Sequence, residues 1–181
     1  MNIELIGLDC VGCGSCEQLC PHKAIALQPS SEGFWYPVID KNNCIDCSAC
    51  LLHCPQNKDA NGLVENRINP ISYNAISRLN RFYRRSSSGA AFATFAYLFL
   101  NRYENAIVCG ASFINGIVQH IIIDKASEIR LLQGSKYVQS QIGNCYIKIR
   151  EHLKCGGYAL FSGTPCQVAG LKTFLGKLYT E

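Results

Sequence analysis

Cys10, Cys13, Cys16 and Cys20 are followed by Pro21, and Cys44, Cys47, Cys50 and Cys54 by Pro55. Both runs read C-x2-C-x2-C-x3-C-P, the bacterial-type spacing that holds cubane iron–sulfur clusters. These eight residues are the predicted metal ligands, out of twelve cysteines in the chain. The chemistry they specify is one-electron transfer.

A [4Fe–4S] cubane needs four thiolates arranged as a tetrahedron. Three closely spaced cysteines in a tight turn reach three irons, but the same short loop cannot reach the fourth. In two-cluster ferredoxins the last cysteine of each run therefore serves the other cluster. The expected sets are Cys10, Cys13, Cys16 with Cys54, and Cys44, Cys47, Cys50 with Cys20. Gly12 and Gly14 suit a loop whose N–H groups turn toward sulfur, an arrangement that tunes potential. Structural zinc more often uses separated cysteine or histidine pairs. Disulfides suit small secreted chains, whereas the opening MNIELIGLDC shows no leader pattern. His22 and His53 adjoin ligand cysteines and read as packing or hydrogen-bonding residues.

These runs need a module to position them. Residues 1–62 are expected to form it as a pseudo-repeat, an α+β two-cluster ferredoxin-like module. Ala24 to Leu27 and Phe34 to Ile39 read as paired strands around a turn at Pro29 to Gly33. Each Cys-Pro ends a short helix, since the residue before proline leaves the α region. Residues 63–85 read as a linker. Asn57, Lys58, Asp59, Asn61 and Gly62 supply a polar loop. Arg78, Arg81, Arg84 and Arg85 lead to Ser86, Ser87, Ser88 and Gly89. That stretch is either a solvated linker or an anion-binding turn, with Ser88 capping the next helix.

Residues 86–181 read as α/β. Ala90 to Asn101 is apolar all round and predicts a buried helix. Ala106 to Cys109 and Ile117 to Ile123 predict strands joined at Asn115-Gly116. Ile142, Tyr146, Ile149 and Leu153 mark an amphipathic helix that Gly156-Gly157 stops. Tyr158 to Ser162 is a strand. Thr164 and Pro165 are N-cap and N1 of a last helix with stripe Val168, Leu171, Leu175 and Leu178. Cys166 falls in its first turn, either activated by the helix end or a small buried hydrophobe. Cys109, Cys145 and Cys155 lack ligand spacing. No G-x-G-x-x-G is present.

The chain has 181 residues and a net charge of +4. Residues 1–62 carry three Lys/Arg against seven Asp/Glu, and the remainder fourteen against six. The basic part suits an anionic ligand or partner. There is no dense basic stripe or recognised motif for nucleic acid. The most apolar stretch, Ala90 to Leu100, is well short of the ~20 residues of a membrane span. Oxygen-sensitive clusters and free thiols point to a cytoplasmic location.

Four ordered stretches carry a resemblance: Ser87-Ser88-Gly89 with Phe92-Ala93-Thr94; Gly110 to Phe113; Gly134 to Ser140; and Phe161 to Gln167. Through them residues 86–171 resemble the coenzyme F420 hydrogenase/dehydrogenase beta-subunit family, flavoproteins that often carry an N-terminal two-cluster ferredoxin module. The resemblance implies a partial α/β flavin-binding domain and FAD. Ser87, Ser88, Gly89, Ser135, Lys136, Tyr137 and Thr164 become the candidate contacts to it. It also implies an oxidoreductase subunit or fragment that passes electrons between two [4Fe–4S] clusters and a flavin, and on to a deazaflavin or other organic acceptor, working with a redox partner protein or subunit. Ala90 stands where the family has a second glycine. The family's chains are longer, so the expectation is a truncated chain that lacks the C-terminal part of this domain, a loss that can leave flavin or substrate binding incomplete and abolish activity. The alternatives are a non-enzymatic electron carrier and a docking fragment.

Overall fold

Two glycines bend the chain ahead of the first cysteine helix. Gly12 (φ 60°) and Gly14 (φ 79°) take left-handed backbone, which glycine adopts without steric cost. The computed structural model describes residues 1–57 and 71–178. The chain divides into two compact units, Met1–Glu65 with Thr164–Glu181, and Asn66–Gly163. The expected boundary at residue 62, most of the polar loop and the start of the linker lie outside the described residues.

The first unit is a doubled motif. Helix α1 (Ser15–Leu19) and helix α2 (Ala49–Leu52) each sit inside a cysteine run. The backbone before them matches: Asp46 (φ 52°) and Ser48 (φ 61°) repeat the left-handed pair Gly12 and Gly14. Each run then turns after its Cys-Pro, with Lys23 N–H donating to the Cys20 carbonyl and Asn57 N–H to the Cys54 carbonyl. Strands β1 (Ile25–Pro29) and β2 (Trp35–Ile39) pair antiparallel, Ile25 opposite Ile39. Pro29 closes β1 from its last position, where a missing N–H is tolerated. Glu17 on α1 accepts the Leu27 N–H at 2.9 Å and ties helix to strand. The core is Ile3, Ile25, Cys16, Cys50 and Cys54, with Ile6, Cys20 and Ile39 packed against it.

Helix α6 (Pro165–Leu175) belongs to this unit. Its start is the expected one: Thr164 is N-cap, Pro165 is N1, and Gln167 completes a capping box. Leu171, Phe174 and Leu175 are buried, and α6 packs against α1. The sequence carries residues 86–181 as one α/β run. The structure divides that run at Thr164, because the apolar face of α6 is covered within the first unit.

In the second unit the sheet order is β4-β3-β5, from β3 (Ala106–Ile114), β4 (Ile117–Ile123) and β5 (Tyr158–Phe161). Asn115 (φ 51°) and Gly116 (φ 82°) make the predicted hairpin, and β5 joins β3 in parallel. Adjacent strand residues face opposite sides. Val108 meets the buried Ala93 and Ala96 of helix α4 (Ala91–Arg102), and also Ile123, Ile129 and Leu132. Cys109 meets Cys145 at the start of helix α5 (Cys145–Lys154). Tyr146 and Ile149 of α5 are buried as predicted, and Gly156 (φ 78°) ends it. Within the expected linker, helix α3 (Asn80–Tyr83) buries Phe82 in the α4 side of the core. Arg81 stacks over the Phe82 and Tyr97 rings at 4.8 and 4.4 Å.

Two expectations for α4 do not hold. Only Ala93 and Ala96 are fully buried, while Phe95 is 62% and Leu98 55% exposed. One face of this apolar helix is therefore uncovered. Its N-cap is Ala90 (φ 61°), with no side-chain cap, so Ser88 does not cap it. Left-handed backbone costs a residue with a Cβ about 1–2 kcal/mol. At Ala90 a glycine would recover that cost while losing a buried methyl worth about 0.8 kcal/mol. Ala90→Gly should therefore leave the urea midpoint nearly unchanged. Ala96→Gly, in regular helix, should destabilise by about 2 kcal/mol, the sum of lost propensity and the same methyl. Equal losses at both positions would contradict the backbone assigned to Ala90.

Candidate metal centre

The backbone that bends before α1 and α2 folds each run around its own space. Cys10, Cys13, Cys16 and Cys54 line one cavity together with Ile3 and Ser15. Cys20, Cys44, Cys47 and Cys50 line another, with Ile25 and Ile39. Each space thus takes three cysteines from one run and the fourth from the other. Among the described residues no three Cys, His, Asp or Glu side chains converge as they would on a single ion. In a cubane the four thiolates bind separate irons.

Amide groups already point at the sulfurs. Cys10 accepts from the Gly12 N–H, Cys13 from Ser15, and Cys54 from Gln56 and Asn57. In the other set Cys20 accepts from the Ala24 N–H at 3.3 Å, and Cys50 from Ile3, Leu51 and its own amide. Burial is the main force on the thiols. It pushes Cys13 up to about 12, opposed by the Ser15 amide and reinforced by the nearby Cys54, Cys10 and Cys166. Cys16 is raised further, by burial and then by Cys13, Cys10, Cys54 and Cys50. Packed thiols of this kind ionise only when a cation takes the place of their protons. The influence of Cys50 on Cys16 also places the two sets side by side.

One polar atom in the first cavity is unmatched. Ser15 is 1% exposed, and its Oγ has no hydrogen-bond partner within the protein. A sulfur-rich occupant would supply the missing acceptor, so the residues present fit a cluster. Both histidines are exposed, and His53 Nδ1 lies 3.0 Å from the Ala49 carbonyl oxygen.

Cys166 is not the buried hydrophobe of its second reading. It lies in the first turn of α6, half-buried, with its Sγ 3.0 Å from Thr164 Oγ1 and near enough to raise Cys13. Cys109 and Cys145 are buried and Cys155 is exposed. Neither Ser15 nor the closeness of Cys166 follows from a single motif. Ser15 could have been found by aligning the two halves of the repeat, where Ala49 is its counterpart.

The residues implied as flavin contacts are partly brought together. Ser87 Oγ accepts the Ser135 N–H at 2.9 Å, and Gln133 donates to Ser86 Oγ at 3.0 Å, so the 86–89 and 133–137 loops meet. Lys136 Nζ donates to the Leu132 and Gln133 carbonyls at 3.0 and 2.9 Å, and burial lowers its pKa. Ser88 is exposed and Tyr137 is 92% exposed. Gly89 has a local reason to be glycine: a Cβ there would collide with the Ala75 carbonyl oxygen. Thr164 belongs to the other unit.

Among the described residues no helix is long and apolar enough to cross a membrane. Curated proteins give no match to the chain. Residues 9–58, which contain all eight cysteines of the two runs, match the family model of the 4Fe-4S dicluster domain, so the N-terminal part of this chain is a 4Fe–4S dicluster ferredoxin-type domain.

Proposed function

We propose that this chain is an iron–sulfur electron-transfer protein, with one [4Fe–4S] cluster held by Cys10, Cys13, Cys16 and Cys54 and a second by Cys20, Cys44, Cys47 and Cys50. The observation that carries the reading is the crossed placement of Cys20 and Cys54 in the two cavities. A cubane, when bound, supplies one-electron transfer. The chain's own residues hold eight thiolates, aim amides at them and bury Cys13, Cys16, Cys50 and Cys54 away from water. Residues 1–62 act as the cluster module. Free thiols in both units suit a reducing cytoplasm.

On this reading the second unit, Asn66–Gly163, serves a flavin and a deazaflavin or other organic acceptor, as part of an oxidoreductase subunit of the F420 hydrogenase beta-subunit kind. The meeting of Ser87 with Ser135 supports a shared loop site. A second reading, a carrier that docks to a redox partner protein, is favoured by Lys136, whose ammonium already serves two carbonyls.

Anaerobic reconstitution should yield iron and sulfide for two cubanes, with two reduced signals in electron paramagnetic resonance. Cys54→Ser should erase or degrade the same signal as Cys13→Ser, and Cys20→Ser the same one as Cys47→Ser. If Cys54→Ser instead behaves like Cys47→Ser, the crossed assignment is wrong. Released FAD then separates the two readings. Near-stoichiometric FAD per chain is the expected result for the oxidoreductase, and none in a chain holding both clusters would establish the carrier.

A further inference from the structure

Ser15 lies between Gly14 and Cys16, in the first turn of α1, and lines the cavity ringed by Cys10, Cys13, Cys16 and Cys54. Its amide N–H is committed to the Cys13 sulfur. Its hydroxyl is buried and without a partner. An unpaired buried hydroxyl costs about 1–3 kcal/mol, so a site that keeps one should offer it an acceptor. The acceptors this cavity gathers are sulfurs.

The doubled motif contains its own control. Cys13-Gly14-Ser15-Cys16 corresponds to Cys47-Ser48-Ala49-Cys50. Ala49 takes the place of Ser15, is only half-buried, and has no side-chain donor. The hydroxyl is thus present at one site and missing from the equivalent point of the other.

We propose that the Ser15 Oγ–H donates a hydrogen bond to a sulfur of the first cluster and so raises the reduction potential of that cluster alone. Reduction adds an electron to an already anionic cluster. A donor aimed at its sulfur stabilises the reduced form more than the oxidised one. Deep burial of the first site opposes reduction, because the extra charge is poorly solvated there. Ser15 offsets that penalty where it is largest. The second set includes the exposed Cys47 and the half-exposed Cys20 and Cys44, so water can do the same there.

The inference rests on the ligand assignment proposed above, and its test keeps the two apart. Iron, sulfide and two reduced signals in the unaltered chain test the assignment. Redox titration of Ser15→Ala, followed by paramagnetic resonance, tests Ser15. The signal that Cys13→Ser removes should titrate lower, reduction becoming about tenfold less favourable, or about 59 mV for a one-electron couple. The signal that Cys47→Ser removes should not move. Ser15→Thr, which keeps the hydroxyl, should stay close to the unaltered chain. If Ser15→Ala fails to hold the first cluster, Ser15→Gly gives the same reading without the hydroxyl. Unchanged potentials, an equal shift of both signals, or loss of the first cluster in every variant including Ser15→Thr would overturn the proposal.

Discussion

A cubane's thiolates sit too far apart for one short loop to supply all four. That constraint organises the first unit. Each cysteine run gives three sulfurs to one cavity and sends its fourth to the other, so neither site can close without both halves of the repeat. Around the cysteine runs the apolar share of the core is small: Ile3 and Ile25 are buried alongside Cys16, Cys50 and Cys54. Small domains bury too little apolar surface to be secure on that alone. Where the core is made of ligands, metal binding contributes directly to folding. Burial raises the Cys13 and Cys16 thiols, so on the proposed ligand assignment iron would bind there by displacing their protons.

The two halves share a backbone but solve it differently. Gly12 and Gly14 reach the left-handed region freely, whereas Asp46 and Ser48 do so with a Cβ in place. The second loop recovers stability through contacts at the chain start. Ser48 Oγ donates to the Met1 carbonyl at 2.9 Å, and Asn2 donates to Asp46 at 3.3 Å. Asp40 adds to this by accepting from Asn42 and Asn43 side-chain and backbone groups ahead of Cys44. The first loop is therefore conformationally self-sufficient and more buried. The second is braced by neighbours and more open. Two sites of the same chemistry in unequal surroundings need not have equal potentials, and an electron would then favour one of them.

Much of this was legible in the residues. The Cys-Pro runs, the Asn115-Gly116 hairpin, the Thr164-Pro165 cap and the Ile142-to-Leu153 stripe each state a local rule, and each appears in the fold. What the sequence could not show is which surface a helix finds. Phe92 to Leu100 reads as buried on composition, yet Phe95 and Leu98 face outward because the core of that unit takes only the alanine side and its flanks. Of the predicted stripe Val168, Leu171, Leu175 and Leu178, Leu171 and Leu175 are buried while Leu178 is exposed, and nothing in these residues says that α1 receives the helix. Ser88 has the chemistry of a cap, but Gly89 is held against Ala75 and the helix begins two residues later than that cap requires.

The same distinction between residue type and residue commitment bears on the second unit. Lys136, Arg81 and the serines have the chemistry of an anion site. Lys136, however, is bound to two carbonyls, and Arg81 is stacked on two rings. Hydrogen bonds from a charged group contribute about 1.5–3 kcal/mol each, so recruiting Lys136 to a phosphate means giving up comparable interactions in the free protein. Arg78, Arg84 and Arg85 are exposed beside the serine loop and carry no such cost. An anion drawn to this unit would therefore meet the arginines first. Lys136 is better understood as the group that fixes the 133–137 loop so that Ser135 can reach Ser87. Its charge still adds to the local field, but its geometry is already spent on the protein's own backbone.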